Sequence, residues 1–124
     1  MKKYITGDLL HYKICNAKYL IEVTNTSKYG YCFKGVKDNF NEVICDEFIE
    51  DIPLTPEILE KNGWKKDKDG YFNDSYHIRL CESSTNYAAY KVVNKSIVWL
   101  RAVENVPDLQ HLLFGLDISL KIEV

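Results

Sequence analysis

Polar and apolar residues alternate through much of the first fifty positions, as in strands with one buried and one wet face. Leu10, Tyr12 and Ile14 fall on one face of a first segment, and Tyr19, Ile21 and Val23 on one face of a second. Asn16-Ala17 and Asn25-Thr26-Ser27 mark turns. An aromatic segment from Tyr29 to Val36, closed by Lys37-Asp38-Asn39, and another from Glu42 to Ile49 complete four short strands. Their spacing suits a small SH3-like antiparallel barrel, with a plain antiparallel meander as the alternative.

The pattern then changes period. Thr55 is placed to cap a helix, Pro56 occupies its first turn, and Gly63 supplies the left-handed residue that ends it. Leu54 and Leu59 stand where a hydrophobic staple needs them, and Trp64 where a Schellman ending folds back on Leu59. Strand alternation returns over Tyr76 to Glu82, Tyr87 to Val93 and Ser96 to Val103, with His77, Arg79 and Lys91 on the wet side. A second helix starts near Asn105 to Pro107, sets Leu109, Leu112, Leu113 and Leu116 on one stripe, and stops at Gly115. Ile118, Leu120, Ile122 and Val124 alternate with polar residues as a terminal strand.

The expected fold is therefore α+β: an SH3-like β-barrel, then helix, three-stranded β-meander, helix and terminal strand. Residues 1–51 form the SH3-like β subdomain and residues 52–124 the αβββαβ subdomain. Asp51-Ile52-Pro53-Leu54 is too short and apolar for a linker, so the two are expected to pack as one compact domain.

Composition narrows the class. With 124 residues, 46% hydrophobic and 27% charged, the chain suits a globular domain with a real core. Sixteen basic against eighteen acidic residues leave a net charge of -2, too small for a field that mimics nucleic acid. Cys15, Cys32, Cys45 and Cys81 form no CxxC pair, and Met1-Lys2-Lys3 opens no secretory segment. Apolar runs are far too short to span a membrane. The sequence reads as a soluble cytoplasmic protein with reduced thiols.

No motif supplies chemistry. His11, His77 and His111 stand at no metal-ligand spacing, and Cys32 and Cys45 sit in strands as packing thiols. No GxSxG turn presents a nucleophile, and the isolated glycines build no phosphate cradle. The expectation is no enzyme activity, no catalytic residue, no metal and no cofactor; a small hydrolase would need His77 or His111 within reach of a carboxylate.

Two binding interpretations remain. Lys28-Tyr29-Gly30-Tyr31-Cys32-Phe33-Lys34 places aromatics beside lysines, as nucleic-acid stacking strands do, but lacks the full motif, and only two arginines accompany it. This strand carries the alternative of a nucleic-acid-binding module. Sixteen aromatic residues exceed what a core of this size hides, and Tyr, Trp and Phe dominate protein hot spots. The expected contact residues for a protein partner are Tyr29, Tyr31, Phe33, Tyr87 and Tyr90.

Over Ile52-Pro53-Leu54-Thr55-Pro56-Glu57-Ile58-Leu59-Glu60-Lys61-Asn62-Gly63-Trp64 and Leu109-Gln110-His111-Leu112-Leu113-Phe114-Gly115-Leu116, the chain resembles a family of small proteins encoded by phages, prophages and mobile elements of gut anaerobes. Its pattern is an "IPLTxExLxxxGF" helix, a β meander and a closing "YVHxLQxLxFxL" helix with a short apolar strand. Here Asn105, Val106 and Pro107 replace the aromatic and His before the second helix. The resemblance carries no catalytic residue; it implies a non-enzymatic accessory or interaction protein of a phage or mobile element in a bacterial cell, whose partner is a host factor, an immune-system component or another element-encoded protein.

Overall fold

The alternation along the chain becomes two antiparallel sheets. The computed structural model describes residues 4–27, 30–37, 41–44, 48–118 and 121–124. Tyr29, Lys28, the Asp38-Asn39 turn, Cys45 and the Ser119-Leu120 part of the expected terminal strand lie outside them. The chain divides into two compact units, Met1–Ile52 and Pro53–Val124.

The first unit holds β1 (Leu9–Ile14), β2 (Ala17–Ser27), β3 (Gly30–Gly35), β4 (Asn41–Ile44) and β5 (Ile49–Asp51), ordered β4-β3-β2-β1-β5 in one sheet. A two-residue turn joins Ile14 to Ala17, with Cys15 at a φ of 53°, the left-handed geometry that matches hairpin twist. Leu10, Ile21, Val23 and Phe33 are buried together, and Tyr4, Tyr12, Tyr19, Tyr31 and Ile49 pack against them.

The second unit begins with α1 (Pro56–Lys61) and continues with β6 (Lys65–Asp67), β7 (Gly70–Asn73), β8 (Ile78–Glu82), β9 (Tyr87–Val93), β10 (Ser96–Val103) and α2 (Val106–Gly115). Its strands form a plain meander, β10-β9-β8-β7-β6. Thr55 Oγ1 accepts from Ile58 N at 3.3 Å, and Trp64 N and Gly63 N close a Schellman ending on Leu59 O and Glu60 O. Asn105 caps α2 by accepting from Asp108 N at 2.9 Å. The helix ends at Gly115 as expected, Asp117 then takes a left-handed turn, and Ile118 N reaches Leu113 O. Leu59, Tyr71, Leu80, Ala89, Leu109 and Leu113 are buried in this unit's core.

This overturns the expected α+β class and its SH3-like barrel. The helices have only six and ten residues, and strands dominate. The first sheet stays open, ending in β4 on one side and β5 on the other among the described residues. The expected three-stranded meander has five strands, because Lys65–Asn73 forms a further hairpin. Asp67 Oδ1 accepts from both Asp69 N and Gly70 N, an Asx turn that the five charged residues Lys65 to Asp69 disguise in the sequence. The expected terminal strand forms no ladder among the described residues. Instead Asn62 acts as a one-residue strand: its Nδ2 donates to Glu123 O at 2.7 Å and its Oδ1 accepts from Glu123 N at 2.8 Å. That clamp leaves Ile122 buried.

Candidate interaction surface

Directly paired residues share a face of an antiparallel sheet, and successive residues alternate. In the second sheet Tyr71, Leu80 and Ala89 form one row on the inner face. One position along, Lys65, Phe72, Arg79, Tyr90 and Trp99 form a row on the opposite, outer face. Val92 and Ile97 pair beside it on that same face. The inner row is fully buried, whereas Phe72, Arg79 and Tyr90 are half-buried, Trp99 is 60% exposed and Ile97 is 63% exposed.

Within the outer row, the Arg79 guanidinium lies 5.2 Å from the centre of the Phe72 ring and meets Asp67 Oδ2 at 2.6 Å. That contact, with the Asp69 and Gly70 amides, holds the Asp67 carboxyl below the usual carboxylate range. One charge of the row is thus fixed in place, and the ring beside it is covered by a cation. Among the described residues Trp99 and Ile97 carry no such cover.

Both stand on β10, an edge strand of the sheet. A two-residue turn at Asn94-Lys95, with Asn94 at a φ of 55°, sends the chain from Val93 back to Ser96. Val93 and Val98 point to the inner side but remain exposed, Val98 at 50%, so the end of this hairpin is apolar on both faces. A bulge at Leu100 then shifts the register between Trp99 and Arg101, and beyond it Val103 is buried.

The residues expected as contacts are scattered by this arrangement. Tyr29 is outside the described residues. Phe33 is 1% exposed, deep in the first unit's core. Tyr31 packs edge-on to Tyr4 at 5.4 Å and near Phe33 at 6.1 Å, and its hydroxyl accepts from Tyr4 N. Tyr87 turns to the inner face, with its ring 6.1 Å from Tyr71 and its phenol pushed up by burial. Tyr90 alone of these reaches the open outer face, opposite Trp99. Of the three side chains assigned to the wet side, Arg79 is on the outer face, whereas Lys91 pairs with Ile78 on the inner face and donates to Tyr76 O. His77 occupies a turn at a φ of 55°.

Among the described residues no three His, Cys, Asp or Glu side chains stand close enough to hold a metal ion, and no helix is long and apolar enough to cross a membrane. A polar depression near Ser83–Asn86 is also lined by Leu54, Glu82, Tyr87 and Glu104, and in it the Ser83 hydroxyl meets Asn86 O at 3.0 Å and Asn86 Oδ1 at 2.7 Å. Sequence reasoning placed β10 as a strand but missed its exposed edge; the signal was the apolar run Ile97-Val98-Trp99-Leu100, which breaks alternation. Compared with protein-family models, curated proteins and solved structures, the chain gives no match.

Proposed function

We propose that the chain is a non-enzymatic interaction protein that binds a protein partner through the outer face and free edge of its second sheet. The observation that carries this is Trp99 and Ile97, each more than half exposed, side by side on an edge strand beside Tyr90. A large aromatic left in water loses the gain of burying it, and Trp and Tyr are the residues that supply most of the energy at protein interfaces. The likeness of Ile52–Trp64 and Leu109–Leu116 to proteins of phages and mobile elements supports an accessory role in such an element. The free thiols Cys15, Cys32 and Cys81 fit a reducing bacterial cytoplasm.

The test is capture of partners from lysate of a bacterial host by the tagged chain, with nuclease and raised salt, against the double variant Ile97→Ser, Trp99→Ser. The expected result is a protein that survives nuclease and salt and is lost with the variant. A partner that the variant still holds removes this surface from the function, and recovered nucleic acid that salt releases replaces the partner class.

A further inference from the structure

From the edge and charge of β10 we infer that the partner of this surface is an extended peptide segment, apolar at alternate positions and acidic at an end, which adds to the sheet as a strand beside β10. This rests on the interaction surface proposed above and names what fits it.

The two edges of the sheet differ in the feature that decides strand addition. An edge strand leaves alternate N–H and C=O groups unpaired, and proteins commonly block such an edge with charge. β6 is blocked in this way, since Lys65, Lys66 and Asp67 are all charged and exposed. β10 offers Ser96, Ile97, Val98 and Trp99 before its bulge, with no charge among them. A strand laid there would take main-chain bonds from β10, set one side chain against Ile97 and Trp99 on the outer face, and set the next against Val98 on the inner side.

Charge selects the partner. The apolar stretch lies between Lys95 at the turn and Arg101 past the bulge. Lys95 has no carboxylate partner among the described residues, whereas Arg101 is partly neutralised by Asp108 at 3.3 Å. A second copy of this strand, laid antiparallel about Val98, would bring Lys95 opposite Arg101 of the other copy, a like-charge contact. An acidic residue at the Lys95 end meets the opposite charge instead.

The experiment is selection of a random twelve-residue peptide library on the full chain, counter-selected on the Ile97→Ser, Trp99→Ser variant. Enriched peptides are then resynthesised and titrated by fluorescence anisotropy. The expected winners alternate apolar side chains and carry Asp or Glu at one end. Trp99→Ser weakens them about tenfold or more, as loss of a hot-spot aromatic does. Lys95→Glu weakens them several-fold at low salt and less at high salt. N-methylation of alternate peptide amides abolishes binding in one register and spares it in the other, because only one set of amides faces β10. All three protein variants change exposed side chains, and unchanged thermal unfolding verifies that they fold. Winners that need Trp99 but ignore N-methylation in both registers, or that carry no acid, overturn the added acidic strand while leaving the surface standing. Absence of any peptide that prefers the parent to the variant overturns the inference. A concentration-dependent dimer abolished by Trp99→Ser, seen in sedimentation, overturns it in favour of a second copy.

Discussion

Phe33 in β3 and Trp99 in β10 both sit in short antiparallel strands amid other apolar residues, yet one is 1% and the other 60% exposed. The first unit packs three of its aromatics together: Tyr4 meets Tyr31 edge-on, Tyr31 leans on Phe33, and Tyr4 Oη donates to Asp51 Oδ1 at 2.9 Å. The second unit buries one face of its sheet, the row Tyr71, Leu80 and Ala89, and leaves Trp99 and Ile97 exposed beside Tyr90 on the other. Alternation states which residues share a face. It does not state which face is covered, and that choice separates an aromatic of the core from one offered to a partner.

The strongest test of this contrast is truncation at the two rings. Phe33→Ala should cost about 3–5 kcal/mol, the loss of a buried ring plus the cavity it leaves, and is expected to bring the first unit close to unfolding. Trp99→Ala should cost within about 0.5 kcal/mol, as surface changes do, while abolishing partner binding. Urea titration of both variants gives the comparison directly. Equal losses of stability would mean that Trp99 is a packing residue after all.

The same contrast marks how far the sequence could be read. Helix ends were legible because they depend on local chemistry: Thr55, Pro56 and Gly63 each meet a need of one backbone turn, and the structure uses each one. Most individual strands were legible from alternation, but the expected strand Glu42 to Ile49 is divided into β4 and β5, and the expected terminal strand forms no ladder among the described residues. Closure of the first sheet was not legible, since whether β4 meets β5 depends on curvature accumulated across strands, which no single segment encodes. The Lys65–Asn73 hairpin was missed because its turn is built by the Asp67 side chain within a charged run. The exposed edge was missed for a related reason: Tyr31, Phe33, Trp99 and Tyr90 are chemically alike, and only the tertiary cover distinguishes them.

Loosening the helix starts is the next test. Thr55→Ala and Asn105→Ala each remove a side-chain acceptor from a helix start, and each should cost about 1 kcal/mol. Because the covered face is opposite Trp99, affinity for the partner should stay unchanged in both at temperatures where the variants remain folded. Tyr71 tests the covered face itself. Its ring is fully buried and its hydroxyl has no partner among the described residues, so burial raises its phenol above the ordinary tyrosine range. Tyr71→Phe removes an unsatisfied polar group with no loss of ring and should raise stability by up to about 1 kcal/mol. The parent should also lose stability as pH rises above the ordinary phenol range, since the unfolded chain ionises there first, and the variant should lose less of it. Parallel urea titrations at neutral and alkaline pH measure both effects.

The smallest expected effect concerns the outer row. Arg79 bridges Asp67 and the Phe72 ring on the face assigned to binding, so its contribution to stability ought to be modest and confined to one pH range. The Asp67 carboxyl is held low in the folded chain, chiefly by the Arg79 hydrogen bond. A carboxylate with a depressed folded pKa stabilises above its unfolded pKa, and that stability is lost as pH falls through the folded value. The stability difference between the parent and Arg79→Gln should therefore be constant above about pH 5 and shrink on acidification. Carbon-13 titration of the Asp67 carboxyl should show the midpoint move upward in the variant. A difference that persists undiminished in acid would assign Arg79 to packing over Phe72 rather than to its charge, and would make part of the outer face structural, narrowing the open surface to Tyr90, Trp99 and Ile97.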